Sequence, residues 1–406
     1  MKTEYEKVLQ KQLQTLETRG ILKGKENVIT GIKPAAAGFG PRYFLAGHGD
    51  RPFLLLNSNS YLGLSLDQAV ITAEEEAARK FGCGPGGVRF ISGTFQTHID
   101  LEERLAVFHS RQAGMIFSAA YAAVMGVLPP LITKETVVLS DELNHNCIIN
   151  AIRLSRPAAK EIYNHLQLDD LERKLQFHAG RARRVVLVTD GIFSMRGDHG
   201  PLDKIAAIAE KYDSDFPEGI LTVADDSHGV GVFGRNGRGT EEYTGGRVDV
   251  LVATLGKALG VNGGYVVASR TVIDYLRESA PFYIYSNPIT PAEAAAALKA
   301  LEIVDSPKGL ALLERVRFLT RRFEKGLQAA GFEFIAGEHP IVPLMIRNTE
   351  KTAGLVRFLL EHGVLATGIK FPVVPEGDEE VRFQVSANHT EKDIDYVLEL
   401  LTAWKK

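Results

Sequence analysis

The sequence contains very little cysteine, only Cys83 and Cys147 among 406 residues. The two are not in a CxxC spacing, and so few cysteines exclude a disulfide framework. The chain also lacks any uninterrupted run of about 18 apolar residues, so no membrane-spanning helix is predicted. The charged, amphipathic N-terminal helix has no apolar segment of the signal-peptide kind. We therefore expect a cytoplasmic protein.

The chain has no strong charge of either sign, since 47 basic residues balance 50 acidic ones and leave a net charge of −3. A charge this small provides no electrostatic attraction to nucleic acid or to an anionic membrane, so neither partner is predicted. The sequence shows no internal repeat, and it suggests no metal site. What it does contain is 45% hydrophobic residues. That is enough for a large core divided between two domains.

The pattern along the chain predicts three parts. Residues 1–50 form a helical arm and a connector, 51–290 a large domain, and 291–406 a smaller α+β domain. In the large domain, doubly buried strands alternate with helices, which is typical of an α/β fold with a mainly parallel sheet. Its predicted strands are Gly114–Phe117, Val137–Leu139, Val185–Thr189, Ile220–Ala224, Val248–Thr254 and Tyr265–Ala268. In the last part we expect strands at Phe332–Ile346 and Val381–Val385, and helices at 291–330, Thr352–His362 and Lys392–Trp404.

One of these strands ends in Thr254 and is followed by Gly256 and Lys257. A lysine at the exit of a buried strand is unusual, because an unpaired buried ammonium group is costly to desolvate. Desolvation lowers the pKa of the amine, which is what a lysine that bonds to an aldehyde requires. Taken alone, Lys257 could equally be a solvent-exposed loop residue.

A second strand exit carries Asp225, Asp226 and His228. In parallel sheets, ligands lie beyond the carboxyl ends of the strands, where these residues and Lys257 would meet. A lysine for an aldehyde and an aspartate for a ring nitrogen together suggest pyridoxal phosphate (PLP). His228 could then donate a hydrogen bond to the phenolate oxygen of the ring. The alternative is that the two aspartates cap a turn and that His228 is structural.

Two further segments fit such a cofactor. His145 follows the Val137–Leu139 strand and could stack on a ring, although a structural role is the simpler alternative. At Phe117–Met125 a strand leads into a helix, and free backbone N–H groups at a helix start suit a phosphate. Ser118 would be the N-cap residue of that helix.

Other polar residues suit a substrate. Asn59 lies in a polar turn, and Ser194 follows a strand exit that also carries Asp190. Arg382 is the best candidate for holding a substrate carboxylate through two hydrogen bonds, the alternative being a strand arginine in solvent. Two GxGxxG matches, at 82–87 and 229–234, are not taken as dinucleotide sites. The first precedes an extended segment, VRFIS, and the second runs into a loop.

With these residues assembled, the chain resembles the α-oxoamine synthases, a family of fold-type I PLP enzymes, over essentially its whole length. The matching motifs, in family order, are NSNSYLGL, GGVRFISGT with THIDLE, DELNHNCII, TDGIFSMRGD, DDSHGVGVFGRNGRG, TLGKALG, IYSN and VRFQVSANHT. The resemblance implies a seven-stranded, mainly parallel sheet and a smaller C-terminal domain. It also implies a homodimer with active sites at the subunit interface.

The resemblance assigns roles to particular residues. Lys257 bonds to the PLP aldehyde, Asp225 pairs with the pyridine nitrogen, His228 contacts the phenolate oxygen and His145 stacks on the ring. The other implied positions are Ala120, Tyr121, Thr254 and the neighbouring subunit's Ser286 at the phosphate, Ser194 near the ring oxygen, and Asn59 and Arg382 at the amino-acid substrate.

The implied reaction joins an amino acid, with glycine favoured, to an acyl-CoA and releases CoA. The product is an α-amino ketone or a 2-amino-3-oxo acid. Several motifs are most similar to the glycine C-acetyltransferases, also called 2-amino-3-ketobutyrate CoA ligases. Acyl transfer of the serine palmitoyltransferase or 8-amino-7-oxononanoate synthase type, an aminotransferase and a non-catalytic homologue remain as alternatives. Glu380 departs from the pattern, because glycine acetyltransferases can carry a basic residue there.

Overall fold

The computed structural model describes residues 3–18, 22, 26–371 and 373–405. Its strands are β1 Ile29–Lys33, β2 Arg42–Leu45, β3 Pro52–Leu55, β4 Ala113–Phe117, β5 Thr136–Asp141, β6 Ala159–Tyr163, β7 Arg184–Asp190, β8 Ile220–Asp225, β9 Val250–Thr254, β10 Gly264–Ala268, β11 Ile341–Met345, β12 Val364–Leu365, β13 Thr367–Ile369 and β14 Glu380–Gln384. Its helices are α1 Thr3–Thr18, α2 Gln68–Phe81, α3 Gln96–Phe108, α4 Ala120–Leu131, α5 Asn146–Ser155, α6 Leu168–His178, α7 Leu202–Tyr212, α8 Thr240–Thr244, α9 Arg270–Ser279, α10 Pro281–Ile284, α11 Pro291–Val304, α12 Pro307–Ala329, α13 Thr349–Glu361 and α14 Glu391–Lys405. Short 3-10 helices lie at Leu64–Leu66 and Asp213–Asp215.

The centre of the fold is a seven-stranded sheet in the order β4-β10-β9-β8-β7-β5-β6. Strand β10 is antiparallel to both of its neighbours, and the other pairings are parallel. This confirms the predicted fold class, a mainly parallel sheet of the fold-type I kind. All six parallel strands therefore end at the same edge.

Both faces of this sheet are covered, because successive side chains of a strand point to opposite sides. In β7, Val186 and Val188 pack with α4, α5 and α9, whereas Val185 and Leu187 pack with α6 and α7. Burial on both faces explains why these strands are continuous apolar runs in the sequence.

The smaller C-terminal sheet has the order β11-β14-β13 and is antiparallel. The expected strand Phe332–Ile346 is shorter than predicted, since only β11 is regular and Phe334 makes a single bridge to Leu344. The chain bends between these two pairings, in a segment that contains Gly337 and Pro340. A proline has no N–H for a ladder, and glycine weakens a strand.

A third sheet, β1-β2-β3-β12, was not predicted. Its strand β12 comes from the C-terminal part and pairs in parallel with β3, with Val364 opposite Leu54. The VRFIS segment was expected to be extended, but it forms a turn. The N–H groups of Ile91 and Gly93 both donate to Val88 O. Within the residues described above, no helix is long and apolar enough to cross a membrane.

Candidate active site

The chemically active residues lie where β7, β8 and β9 end. The register places Asp190 opposite Asp225 and Asp225 opposite Val252, so the two aspartates occupy neighbouring strand ends. Strand β9 ends two residues later, at Thr254, and Lys257 follows in the next turn. The topology therefore brings an amine and two carboxylates to one edge of the sheet.

Burial lowers the pKa of Lys257 to about 8, although the nearby carboxylates of Asp225 and Asp190 favour its charged form. The lowered pKa increases the unprotonated fraction of this amine near neutral pH, and nucleophilic attack on an aldehyde requires that form. Burial also raises the pKa of Asp190 well above its usual range, and the neighbouring charge of Asp225 adds to this effect.

The carboxylate of Asp225 is held from two sides. Its Oδ1 accepts from the backbone N–H of Ser227 at 3.1 Å, and its Oδ2 lies 3.7 Å from Sγ of Cys147. Burial and the charges of Asp225 and Asp190 raise the pKa of the Cys147 thiol, so it remains a hydrogen-bond donor. Both contacts fix the position of the carboxylate that would pair with a protonated ring nitrogen.

His145 is fixed at the start of α5. Its backbone N–H donates to Asp190 Oδ2 at 3.0 Å, and its Nδ1 accepts from the N–H of Cys147 at 3.3 Å. Burial and the charge of Lys257 lower the pKa of His145, whereas Asp225 opposes them. A neutral imidazole fixed by these two hydrogen bonds can present its ring face to an aromatic cofactor.

His228 is buried and uncharged, because burial and the neighbouring charge of Lys257 lower its pKa well below the usual range. Its Nδ1 lies 2.8 Å from the hydroxyl of Tyr61, and that hydroxyl also donates to Asn59 Oδ1 at 3.1 Å. The backbone oxygen of His228 accepts from His339 Nε2 at 2.7 Å. Asn59 is thereby linked to the same cluster of residues.

Asp226 has a different role from its neighbour. It is fully buried, and its oxygens accept from the N–H and the hydroxyl of Thr240, each at 2.6 Å. The backbone of Gly229 and Gly239 approaches this carboxylate so closely that an added Cβ would lie 2.1 Å and 2.0 Å from its oxygens. Asp226 thus organises the glycine-rich loop after β8, whereas Asp225 faces the site.

The start of α4 offers backbone N–H groups to an anion. The N-cap residue is Ala119, without a side-chain cap, and not Ser118 as predicted, because the helix starts one residue later. Gly264 lies opposite both Thr254 and Phe117, and an added Cβ would lie 2.3 Å from the N atom of Ala120. This uncapped helix start beside Thr254 fits a phosphate group.

Three other predicted residues lie around this centre. The Tyr121 hydroxyl donates to Asn146 Oδ1 at 2.9 Å, and its ring lies edge-on to that of His145. Ser194 is in the turn after β7. Ser286 lies in an exposed loop, where its hydroxyl makes a weak contact of 3.5 Å with Asn287 O.

Arg382 is buried on β14 and does not face solvent. With the Gln384 amide oriented to satisfy both of its ends, the amide oxygen accepts from Nη1 and, at 3.3 Å, from Nε of Arg382. Its Nη2 has no partner among the described residues. The charge of Arg382 contributes to lowering the pKa of Lys257 and of His228. The guanidinium also lies beside the hydroxyl of Tyr61, which is 2.8 Å from Nδ1 of His228.

Sequence reasoning missed Tyr61, Cys147 and His339 as members of the site. Tyr61 stands in the NSNSYLGL motif and Cys147 in DELNHNCII, so both motifs contained the signal. His339 lies outside every motif, and nothing in the sequence pointed to it.

The residues present fit PLP, with Lys257 for the aldehyde, Asp225 for the ring nitrogen and the α4 start for the phosphate. Residues 51–401 match the family model of the class I and II aminotransferases. The chain is 40% identical over 351 residues to an 8-amino-7-oxononanoate synthase of Thermosipho melanesiensis, covering 85% of this chain and 86% of that one. It is 38% identical over 397 residues to the mitochondrial 2-amino-3-ketobutyrate coenzyme A ligase of Bos taurus, covering 97% and 90%.

Among solved structures, the chain is similar to a serine palmitoyltransferase from S. paucimobilis with a bound PLP–myriocin aldimine. The TM-score is 0.86 and the identity 27%, over 99% of this chain and 97% of the other. The three comparisons agree on the family. This chain belongs to the α-oxoamine synthases, PLP-dependent acyltransferases of the class I and II aminotransferase family.

Proposed function

We propose that this protein condenses glycine with a short acyl-CoA, releases CoA and forms a 2-amino-3-oxo acid. The observation that carries this proposal is the buried guanidinium of Arg382, whose Nη2 has no partner among the described residues and which lies beside Tyr61, a neighbour of His228. A carboxylate of the amino acid would bind there, and its α-carbon would then lie near the amine.

In this proposal the residues of the chain divide the work. The unprotonated amine of Lys257 removes the α-proton of the bound amino acid. PLP supplies an electron sink for the resulting charge, and Asp225 keeps the ring nitrogen protonated. His145 would stack on the ring and His228 would contact its phenolate oxygen, and the lowered pKa of each imidazole favours the neutral form.

A second candidate is acyl transfer of the 8-amino-7-oxononanoate synthase type, with loss of CO₂. Relatives that are 40% and 42% identical over 85–86% of this chain carry that name, which favours it. The name describes a nine-carbon product with a terminal carboxylate. Alanine and a dicarboxylic acyl-CoA of seven carbons are the substrates that this chemistry implies.

We also propose a homodimer in which Ser286 reaches the partner's site. The Ser286 hydroxyl forms no hydrogen bond with a described residue of its own site, and its neighbour Tyr285 is 80% exposed. Two unpaired cysteines suit a reducing compartment, so we place the protein in the cytoplasm.

CoA release from the PLP-loaded protein tests the proposed reaction. Glycine, alanine and serine are each combined with acetyl-, seven-carbon dicarboxylic and palmitoyl-CoA, and free thiol is measured. The proposal predicts the fastest release with glycine and acetyl-CoA. A maximum with alanine and the dicarboxylic donor would establish the second candidate instead. No release with any pair, while amino acids still change the visible spectrum, would indicate transamination.

A further inference from the structure

Strand β14 buries an unusual row of polar side chains. Glu380, Arg382 and Gln384 alternate with Val381 and Phe383, and all five are buried. Because alternate residues of a strand face opposite sides, the three polar ones share a face. Val381 and Phe383 belong to the hydrophobic core. On the polar face, the Gln384 amide donates to Leu56 O at 2.9 Å, and Arg382 lies beside the hydroxyl of Tyr61, which contacts His228.

Glu380 is unsatisfied in this row. Its side chain is almost fully buried, and its Oε1 accepts no hydrogen bond from the part of the chain that the structure describes. Nη2 of Arg382 is likewise unpartnered within the same residues, so the two groups do not satisfy each other. Buried polar atoms are nearly always paired, and two unpaired ones on one face point to a ligand.

Three charged residues influence Glu380, namely Arg382, Arg196 and Asp378. Burial raises its pKa to about 7, the guanidinium groups of Arg382 and Arg196 oppose this, and Asp378 adds to it. Arg196 belongs to the turn that carries Ser194. With a pKa of about 7, the side chain of Glu380 is mostly ionised at pH 8.

We propose that Glu380 is a specificity-determining residue that restricts the amino-acid substrate to monocarboxylates. Arg382 binds the α-carboxylate, and the carboxylate of Glu380 repels a second one placed beside it. A neutral donor such as a hydroxyl or an amide N–H could instead satisfy Oε1. The inference rests on the proposed role of Arg382 in binding the amino acid.

The test compares L-aspartate with L-asparagine, which have nearly the same shape but differ in charge. Their dissociation constants, and that of L-alanine, are measured at pH 8 from the visible absorbance of the PLP-loaded protein. No acyl donor is present, so the measurement remains possible even if the proposed condensation fails. The variants are Glu380→Gln and, as a matched control, Asp378→Asn, which removes an exposed carboxylate two residues away.

We expect the wild-type protein to bind asparagine at least tenfold more tightly than aspartate. Glu380→Gln should strengthen aspartate binding at least tenfold and change alanine binding by less than about threefold. Asp378→Asn should keep the wild-type ratio. Wild-type protein that binds aspartate as well as asparagine overturns the proposal, as does a Glu380→Gln protein that binds alanine but still does not bind aspartate.

Discussion

The hydroxyl of Tyr61 lies 2.8 Å from Nδ1 of His228, in the interior of the site. Burial raises the pKa of Tyr61 well above its usual value, so the group remains a phenol. Its oxygen also contacts Asn59 Oδ1. One side chain thus joins the polar turn after β3 to the loop after β8 and fixes the orientation of the His228 ring.

Replacing Tyr61 with phenylalanine should leave the buried Nδ1 of His228 without a partner. An unsatisfied buried group costs about 1–3 kcal/mol, and the free energy of unfolding in urea should fall by that amount. Tyr285→Phe is the control, because Tyr285 is exposed and its change should stay within about 0.5 kcal/mol. Equal values for the two variants would show that the Tyr61–His228 bond contributes nothing.

Replacing Arg382 with alanine should weaken binding of the amino acid by roughly 2–4 kcal/mol, because the bound carboxylate would lose a buried charged partner. Calorimetric titration of the PLP-loaded protein measures this effect. Arg322→Ala is a suitable control, since Arg322 pairs with Asp395 at the surface. An unchanged affinity in Arg382→Ala would place the carboxylate site elsewhere.

Gly239→Ala tests the role of Asp226. The backbone of Gly239 has φ +96°, and the new Cβ would lie 2.0 Å from the Asp226 carboxylate. Gly245 has φ +75° with open space around it, so Gly245→Ala introduces only the backbone strain. We expect a loss of about 1 kcal/mol for Gly245→Ala and several kcal/mol for Gly239→Ala in urea unfolding. Similar losses would argue against close packing on Asp226.

The contribution of His165 to the stability of the protein should fall between about pH 6.5 and pH 9. His165 lies between the carboxylates of Asp141, at 2.9 Å, and Asp198, at 3.2 Å. Although burial opposes its charge, these bonds raise the pKa of His165 from 6.5 to about 9. A raised pKa in the folded state stabilises the fold fully below the unfolded value and is lost as the pH rises through the folded one.

Urea unfolding of wild type and of His165→Gln at pH 6, 7.5 and 9.5 measures this contribution, which should reach at most about 3 kcal/mol. The difference between the two proteins should be largest at pH 6 and smallest at pH 9.5. A difference that does not change with pH would mean that His165 is uncharged in the folded protein.

The sequence predicted the central sheet well because its strands are buried on both faces. Such strands are continuous apolar runs in the sequence. The ionisable residues Lys257 and Asp225 stand out because they lie at or just after the ends of these runs. The sequence did not predict β12. This two-residue strand exists only because it pairs with β3, which lies about 310 residues earlier in the chain. Local patterns cannot reveal a contact between such distant segments.

The same limit applies within the site. Spacing identified Asp225 and Asp226 but could not separate their roles, which depend on Thr240 and on close packing of glycines. Cys147 was considered only for disulfide bonding, yet it contacts Asp225 because α5 brings its thiol under the end of β8. The burial of Glu380 could not be predicted either, since glutamate side chains in a strand are usually exposed.

Reduction of the PLP-loaded protein with borohydride, followed by peptide mass spectrometry, tests most directly whether Lys257 holds the cofactor. The predicted result is one reduced PLP adduct, on the peptide that contains Lys257. The adduct should be absent in Lys257→Ala and retained in Lys299→Ala, which changes an exposed lysine paired with Glu302. An adduct on another lysine of the wild-type protein, or its persistence in Lys257→Ala, would contradict the assignment of the site.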